Sequence, residues 1–392
     1  MDSPLVARMQ GFGETVFAEM TQRAAAAAAV NLGQGFPDTD GPPEVLSAAV
    51  HAIEAGENQY PPGIGIPALR EAIAEHQARF WGLSVDPATE VLVTVGATEA
   101  IAATILALCE VGDEVVTFEP YYDSYAASIA LAGAVRRTSV LRFPDFAVDE
   151  DSLRAAFSPR TKLVLLNTPH NPTGKVFTRA ELDLIAALAR EHDAWVVTDE
   201  VYEHLVYDGA HLPIASLPGM PERTLTISSG GKTFATTGWK VGWVHGPVEA
   251  ISAVRTVKQF LTFVGSGPFQ PAIAAGLRLP NSYFTGFAES MRSRRDLLVG
   301  GLRDLGLSVA VPAGGYFVIA DCSPWGADAL ALCRELPTRV GVAAVPVSAF
   351  HDSPSAATGL VRFAFCKQRS VLEEGLRRLS AMATLSTGSA RP

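Results

Sequence analysis

The chain has 392 residues, 48% of them hydrophobic and 18% charged, enough apolar material for two domains or one large α/β unit. Its 41 acidic and 31 basic residues give a net charge of −10, which argues against nucleic acid or an anionic membrane as a partner. Four scattered cysteines, Cys109, Cys322, Cys333 and Cys366, form no C-x-x-C, so reduced buried thiols in a cytoplasmic protein are expected, with no disulfide and no metal.

The opening Met1-Asp2-Ser3-Pro4 lacks the basic and apolar segments of a signal peptide. The alanine run Ala24 to Ala29 suits either a helix or an arm. Asn31 to Asp38 is a Gly/Pro loop whose G-x-G lacks the third glycine and the helix of a dinucleotide fingerprint. Pro43 opens a helix with an apolar face of Val45, Leu46, Ala49 and Ile53, closed by Gly56. A second glycine pattern, Gly63-x-Gly65-x-x-Ala68, follows Pro61 and Pro62, which rule out the strand it would need. Leu69 to Phe80 reads as another helix. Val91 to Val111 is the most apolar long run, but Glu99 and several threonines interrupt it, so strand then helix is expected rather than a membrane span.

From residue 90 strands and helices alternate. Strands are expected at 90–95, 114–119, 134–140, 162–167, 194–198, 224–228 and 241–244, and helices at 98–110, 122–132 and 178–191. The last helix opens with a capping box, Thr178-x-x-Glu181, and turns Leu182, Ile185 and Leu188 inward. This pattern implies an α/β fold with a mainly parallel seven-stranded sheet covered on both faces. Past Pro280 a long helix (282–305), strands at 309–312, 315–319 and 360–365, and helices near 327–336 and 369–382 suggest a smaller α+β unit, with a frayed tail from Ser386. The expected domains are an N-terminal arm with part of the small domain (1–45), a large domain (46–280) and a small C-terminal domain (281–392).

Ligands of a parallel sheet sit at the carboxyl ends of its strands, so the segments that follow each strand are the candidates. Gly96-Ala97-Thr98 is either an ordinary turn or a helix N-terminus suited to a phosphate. Tyr121, Tyr122 and Tyr125 either pack in the core or supply a stacking platform. Asn167 to Gly174 is a turn cluster that fixes two amides, and its His170 has no evident partner to orient it as a base. Asp199 can cap a helix or meet a cationic ligand, with Tyr202 nearby. The last of these segments runs from Ser228 to Phe234, with Lys240 beyond it. Its Gly-Lys-Thr resembles the end of a P-loop, but position 226 is Thr where a P-loop needs Gly. A lysine presented by such a loop is also what a Schiff-base enzyme needs. An anion cradle, an aromatic platform, a fixed amide, a carboxylate with a phenol and a loop lysine are together the inventory that pyridoxal phosphate demands.

These motifs resemble those of the class I aminotransferases, pyridoxal-phosphate enzymes of the aspartate aminotransferase fold (fold type I). The matches run from Asn31 to about Lys367 and include Asn31 to Asp38, Asn58-Gln59-Tyr60, Asn171 to Gly174, Asp199 to Tyr202, Ser229-x-x-Lys232-Thr233-Phe234, Gly238-Trp239-Lys240-x-Gly242 and Val361-Arg362-Phe363. Within that class the chain is similar to the kynurenine/glutamine/methionine aminotransferase group and, through Val93 to Ala103, to actinobacterial N-succinyldiaminopimelate aminotransferases.

The resemblance implies that Lys232 forms the Schiff base, that Asp199 pairs with the pyridine nitrogen, and that Tyr202 and Asn171 bond the ring oxygen while Tyr122 stacks on the ring. It implies a phosphate site of Ala97, Thr98, Ser229 and Lys240, with Tyr60 reaching in from a second subunit. It gives Arg362 the substrate α-carboxylate, assisted by Asn171 and the Gly35 backbone. Amino acid and 2-oxo acid substrates (glutamate and 2-oxoglutarate as one pair), a general acid–base role for Lys232 and a homodimer with shared sites follow from it. Where the group often has a Phe-His pair from the neighbouring subunit, this chain has Gly265-Ser266, aligned through Pro268-x-Gln270, and Thr98 replaces a common aromatic. Both changes open the substrate pocket, disfavour kynurenine and suit a longer polar donor such as N-succinyl-LL-2,6-diaminopimelate. The alternatives are a glutamine-, methionine- or kynurenine-type aminotransferase, a cysteine-S-conjugate β-lyase on the same fold, and a cofactor-sensing regulator. The regulator would need a DNA-binding region, and only residues 1–30 precede the Asn31 motif.

Overall fold

A computed structural model describes residues 4–388. In chain order the strands are β1 (Val30–Asn31), β2 (Val91–Val95), β3 (Glu114–Glu119), β4 (Val135–Val140), β5 (Thr161–Asn167), β6 (Trp195–Asp199), β7 (Thr224–Ser229), β8 (Val241–His245), β9 (Ser308–Ala310), β10 (Phe317–Asp321), β11 (Val342–Ala343), β12 (Val345–Pro346) and β13 (Leu360–Ala364).

The seven expected strands of the first part form one sheet in the order β2-β8-β7-β6-β5-β3-β4. Neighbours are parallel except at β8, which runs antiparallel to both β2 and β7. Short runs of Val, Leu, Ile and Thr suit strands covered on both faces, and β3 and β7 are buried along their whole length. The edge strand β4 differs, with Arg136 and Arg137 mid-strand, the kind of charge that discourages pairing with another chain. The connecting helices follow the expected pattern. Thr178 and Glu181 cap the helix Arg179–Glu191 reciprocally, and Leu182, Ile185 and Leu188 are buried.

A four-stranded antiparallel sheet, β12-β13-β10-β9, lies in the C-terminal part. The N-terminal segment returns to it, since β1 pairs in parallel with β11 and Met20 and Leu32 share a core cluster with Phe317, Phe350 and Leu379. Two details differ from the sequence expectation. The strand expected at 315–319 is shifted to Phe317–Asp321, because Gly314 and Gly315 instead donate to the carbonyls of Gly174 and Leu205 (2.8 and 2.9 Å) and bind the two parts of the chain together. The helix Arg369–Gly388 continues through the Ser386 where fraying was expected, and residues 389–392 lie outside the described chain.

Besides the single turn Gly230–Thr233, four helices were not placed from the sequence: Val16–Ala26, of which only the end falls in the alanine run read as helix or arm, Glu150–Ala156, Val248–Lys258 and Phe269–Leu277. The first takes in Ala24 to Ala26 of the alanine run and is capped by Thr15, whose hydroxyl accepts from Ala18 N at 3.2 Å. The last carries Pro271 in its first turn, where a missing N–H leaves no bond unmade. All four cysteines are free and buried. No helix among the described residues is long and apolar enough to cross a membrane.

Candidate active site

A cavity of about 410 Å³ opens at the carboxyl ends of the central strands, and Arg362 on β13 faces it from the smaller sheet. Each strand end contributes one chemical feature.

After β2, Gly96, Ala97 and Thr98 form the first turn of the helix Gly96–Leu108, whose leading N–H groups have no helical partner. Gly96 has φ of +71°, and a Cβ there would lie 2.9 Å from the Lys240 side chain, so glycine serves both the turn and the approach of the lysine. Lys240 Nζ stands 3.4 Å from Thr98 Oγ1, and Ser229 and Thr237 line the same corner. A helix N-terminus, hydroxyls and an ammonium group make this corner a receptor for an anion.

The three tyrosines after β3 divide their work. Tyr121 is buried in the core and donates to Asp352. Tyr122 lines the cavity, and burial pushes its phenol up to about 12. Tyr125, one helical turn on, packs edge-on against Tyr122 with centroids 5.6 Å apart and donates its hydroxyl to Asp199 Oδ2 at 2.7 Å.

Asp199 ends β6 and is 5% exposed. It accepts from Tyr125 and, at 3.3 Å, from Val201 N, and no cation lies within hydrogen-bond reach of it among the described residues. Burial pushes its carboxyl up to about 6 against the opposing Tyr125 hydrogen bond. Asn167 at the end of β5 donates to the Asp199 carbonyl at 2.8 Å and accepts from Asn171 N at 2.6 Å, fixing Asn171 toward the cavity. His170 points away. It pairs with Thr173 Oγ1 at 2.8 Å and is held neutral by burial, its pKa near 3, so it anchors the turn.

Lys232 and Tyr202 both line the cavity, with Nζ 6.0 Å from the Tyr202 ring centroid. The Lys232 backbone carbonyl accepts from Tyr316 OH at 2.7 Å, and its Nζ has one long contact, 3.4 Å, to Gly35 O. Burial lowers its pKa below the ordinary lysine value, and the nearby Lys240 and Arg362 add to that effect.

Arg362 is a buried guanidinium with no carboxylate partner among the described residues. Nη1 donates to Asn171 Oδ1 at 3.1 Å and Nη2 to Gly33 O at 2.9 Å, while Nε has no partner. Its plane is bounded by Phe317, Phe350 and Phe17, with centroids 3.8, 4.7 and 5.0 Å away. Burial lowers its pKa to about 10, which leaves it charged at neutral pH. Gly35 must be glycine here, because a Cβ would meet the Phe317 ring at 2.2 Å.

The cavity therefore brings together Gly35, Ala97, Thr98, Tyr122, Asn171, Asp199, Tyr202, Ser229, Lys232, Lys240 and Arg362. Tyr60, Gly265 and Ser266 do not line it. Tyr60 is 82% exposed beside Phe263, Gly265 O accepts from Gln270 Nε2 at 2.8 Å, and Ser266 Oγ donates to Trp239 O at 2.9 Å. Sequence reasoning missed Phe17, Gln34, Phe36, Asp123 and Phe317. Asp123 adjoins Tyr122 and was within reach of the strand-end rule, whereas Phe17 and Phe317 carry no local signal.

Residues 27–379 match the family model described as aminotransferase class I and II. The chain is 51% identical to the probable N-succinyldiaminopimelate aminotransferase DapC of Mycobacterium tuberculosis, over 96% of this chain and 98% of that one. It is 39% identical to the methionine aminotransferase of Escherichia coli, covering 96% and 99%. The solved structure of N-succinyldiaminopimelate aminotransferase from Mycobacterium tuberculosis superposes with a TM-score of 0.94, at 51% identity and over 96% and 100% of the two chains.

Proposed function

Because the chain belongs to the class I and II aminotransferases, enzymes that move an amino group between an amino acid and a 2-oxo acid, we propose that it does so with pyridoxal phosphate on an N-succinylated diamino acid. The observation that carries this reading is one cavity lined by a lysine, a buried carboxylate and a buried guanidinium, the last two without an ion-pair partner among the described residues.

The donor set fits the cofactor. Asp199 would face the ring nitrogen, Tyr202 and Asn171 the ring oxygen, and Tyr122 one face of the ring. Ala97, Thr98, Ser229 and Lys240 would hold the phosphate, and Lys232 would attach the group covalently. Bound there, pyridoxal phosphate supplies an electron sink for charge developing at the substrate α-carbon. The protein does the rest. Arg362 receives the α-carboxylate as a two-pronged donor, its guanidinium oriented by Asn171 Oδ1 and the Gly33 carbonyl, with the Gly35 backbone beside it. Once a substrate amine has displaced it, neutral Lys232 would take the proton from the α-carbon as general base and hold it for return as general acid. Tyr60, Gly265 and Ser266 belong to the neighbouring site in a homodimer, in which the exposed Tyr60–Phe263 pair is covered. The division into residues 1–45, 46–280 and 281–392 is part of the same proposal, and four free buried thiols favour the cytoplasm.

The test is to titrate the purified protein with pyridoxal phosphate, follow the visible absorbance, and compare single-turnover rates for N-succinyl-LL-2,6-diaminopimelate, methionine, glutamine and kynurenine. Absence of a visible band rejects the cofactor. A band together with faster turnover of methionine rejects the succinylated substrate alone.

The proton-transfer role carries a pH dependence. The neutral amine exists above the pKa of Lys232, and that pKa is lowered from 10.5 by burial. The single-turnover rate is therefore expected to rise with pH and level off with a midpoint below 10.5. A midpoint at or above that value would remove Lys232 from the role.

A further inference from the structure

We propose that Asp123 selects the amino donor, accepting a hydrogen bond from an N–H group on the substrate's side chain. This deepens the reading of the cavity given above and rests on it.

Five charged side chains line the cavity: Asp123, Asp199, Lys232, Lys240 and Arg362. The last four are committed to cofactor, proton transfer and α-carboxylate, which leaves Asp123 without a task. It opens the helix Asp123–Ala132 directly after Tyr122 and is half-buried. Its Oδ1 accepts from Ser124 N at 2.8 Å, while Oδ2 has no hydrogen-bond or ion-pair partner among the described residues. Burial raises its carboxyl pKa, opposed by the Ser124 N–H and by Arg362. A carboxylate oxygen that faces the cavity without a protein donor is free to accept one from a ligand.

Two further polar side chains that line the cavity, Gln34 and Thr15, also present acceptor oxygens. Gln34 commits its Nε2 to Phe17 O (3.3 Å) and Thr21 Oγ1 (2.5 Å), so the carbonyl is its remaining polar atom. Thr15 accepts from Ala18 N. Phe17, Phe36 and Ile101 make the remaining wall apolar. An acceptor-rich patch in an apolar pocket recognises a side chain that combines methylenes with an N–H donor, as a carboxamide or an N-acylamino group does. A site built around such a bond discriminates strongly against analogues that lack it.

Glutamine and methionine are side chains of matched length, one ending in N–H donors and one without any. In the holoenzyme, Asp123→Ala and Asp123→Leu are expected to lower the ratio of kcat/KM for glutamine over methionine by about tenfold or more, the loss of a hydrogen bond to a charged group. Asp123→Leu keeps the bulk of the side chain, and the visible absorbance of the loaded protein reports that the site is intact. A ratio that falls by less than about fivefold in the loaded variants overturns the proposal, because a structural role would depress both substrates alike. A wild-type holoenzyme that turns over neither of these nor N-succinyl-LL-2,6-diaminopimelate would instead overturn the functional reading beneath it.

Discussion

Lys232→Ala is expected to lower the single-turnover rate by about a thousandfold or more, the scale of losing a positioned general base that also serves as the covalent anchor. No other amine can replace it. Lys240 is held at the far corner against Thr98, and Arg362 stays protonated with its pKa near 10. The variant should still fold, because Nζ makes one long contact, to Gly35 O at 3.4 Å, and removing a desolvated amine from the cavity relieves a cost as well as a contact. Partial rescue by a small amine such as methylamine separates lost chemistry from lost structure. A variant that keeps more than about a tenth of the wild-type rate would sink the assignment.

Much of this site was legible because its parts sit at the ends of a few apolar strands. The runs before Gly96, Glu119, Asn167, Asp199 and Ser229 are strand-like, and whatever follows them must lie at one edge of the sheet. The roles of the three tyrosines were not legible. They depend on the helix that begins at Asp123, which puts Tyr122 and Tyr125 on one face and leaves Tyr121 outside its period. Phe17 comes to the cavity with the N-terminal segment that β1 ties to β11, and Phe317 through the pairing of β10 with β13, long-range pairings that no local pattern encodes. Arg362 lies in a short apolar strand, and the role proposed for it came through resemblance alone. The four unexpected helices share a physical cause. Each gains its stability from packing on neighbours, as Phe269–Leu277 does against Val45, Ala49 and Ile73, and such packing overrides weak local signals.

Arg362 carries the second large expectation. Arg362→Ala should leave cofactor binding in place and reduce kcat/KM for amino acids by about a hundredfold to ten-thousandfold, since losing one partner of a buried charge pair costs about 3–5 kcal/mol. Lysine should not rescue it. A compact ammonium lacks the planar fork that bonds Asn171 Oδ1 and Gly33 O while still presenting donors to a carboxylate, and it cannot lie flat 3.8 Å from the Phe317 ring. Stability should move differently. Without substrate the guanidinium is buried, lacks a carboxylate and leaves Nε unbonded, so it is held against its own desolvation by two hydrogen bonds and three rings. The apo-protein should therefore lose little melting temperature on truncation to alanine, whereas the stabilisation that a bound dicarboxylate or amino-acid analogue confers on the wild type should vanish. If the variant instead melts far lower while its kcat/KM stays near the wild-type value, Arg362 is a structural residue and the carboxylate must be held elsewhere. The two measurements together separate a charge kept for the fold from one kept, at the expense of the fold, for its ligand.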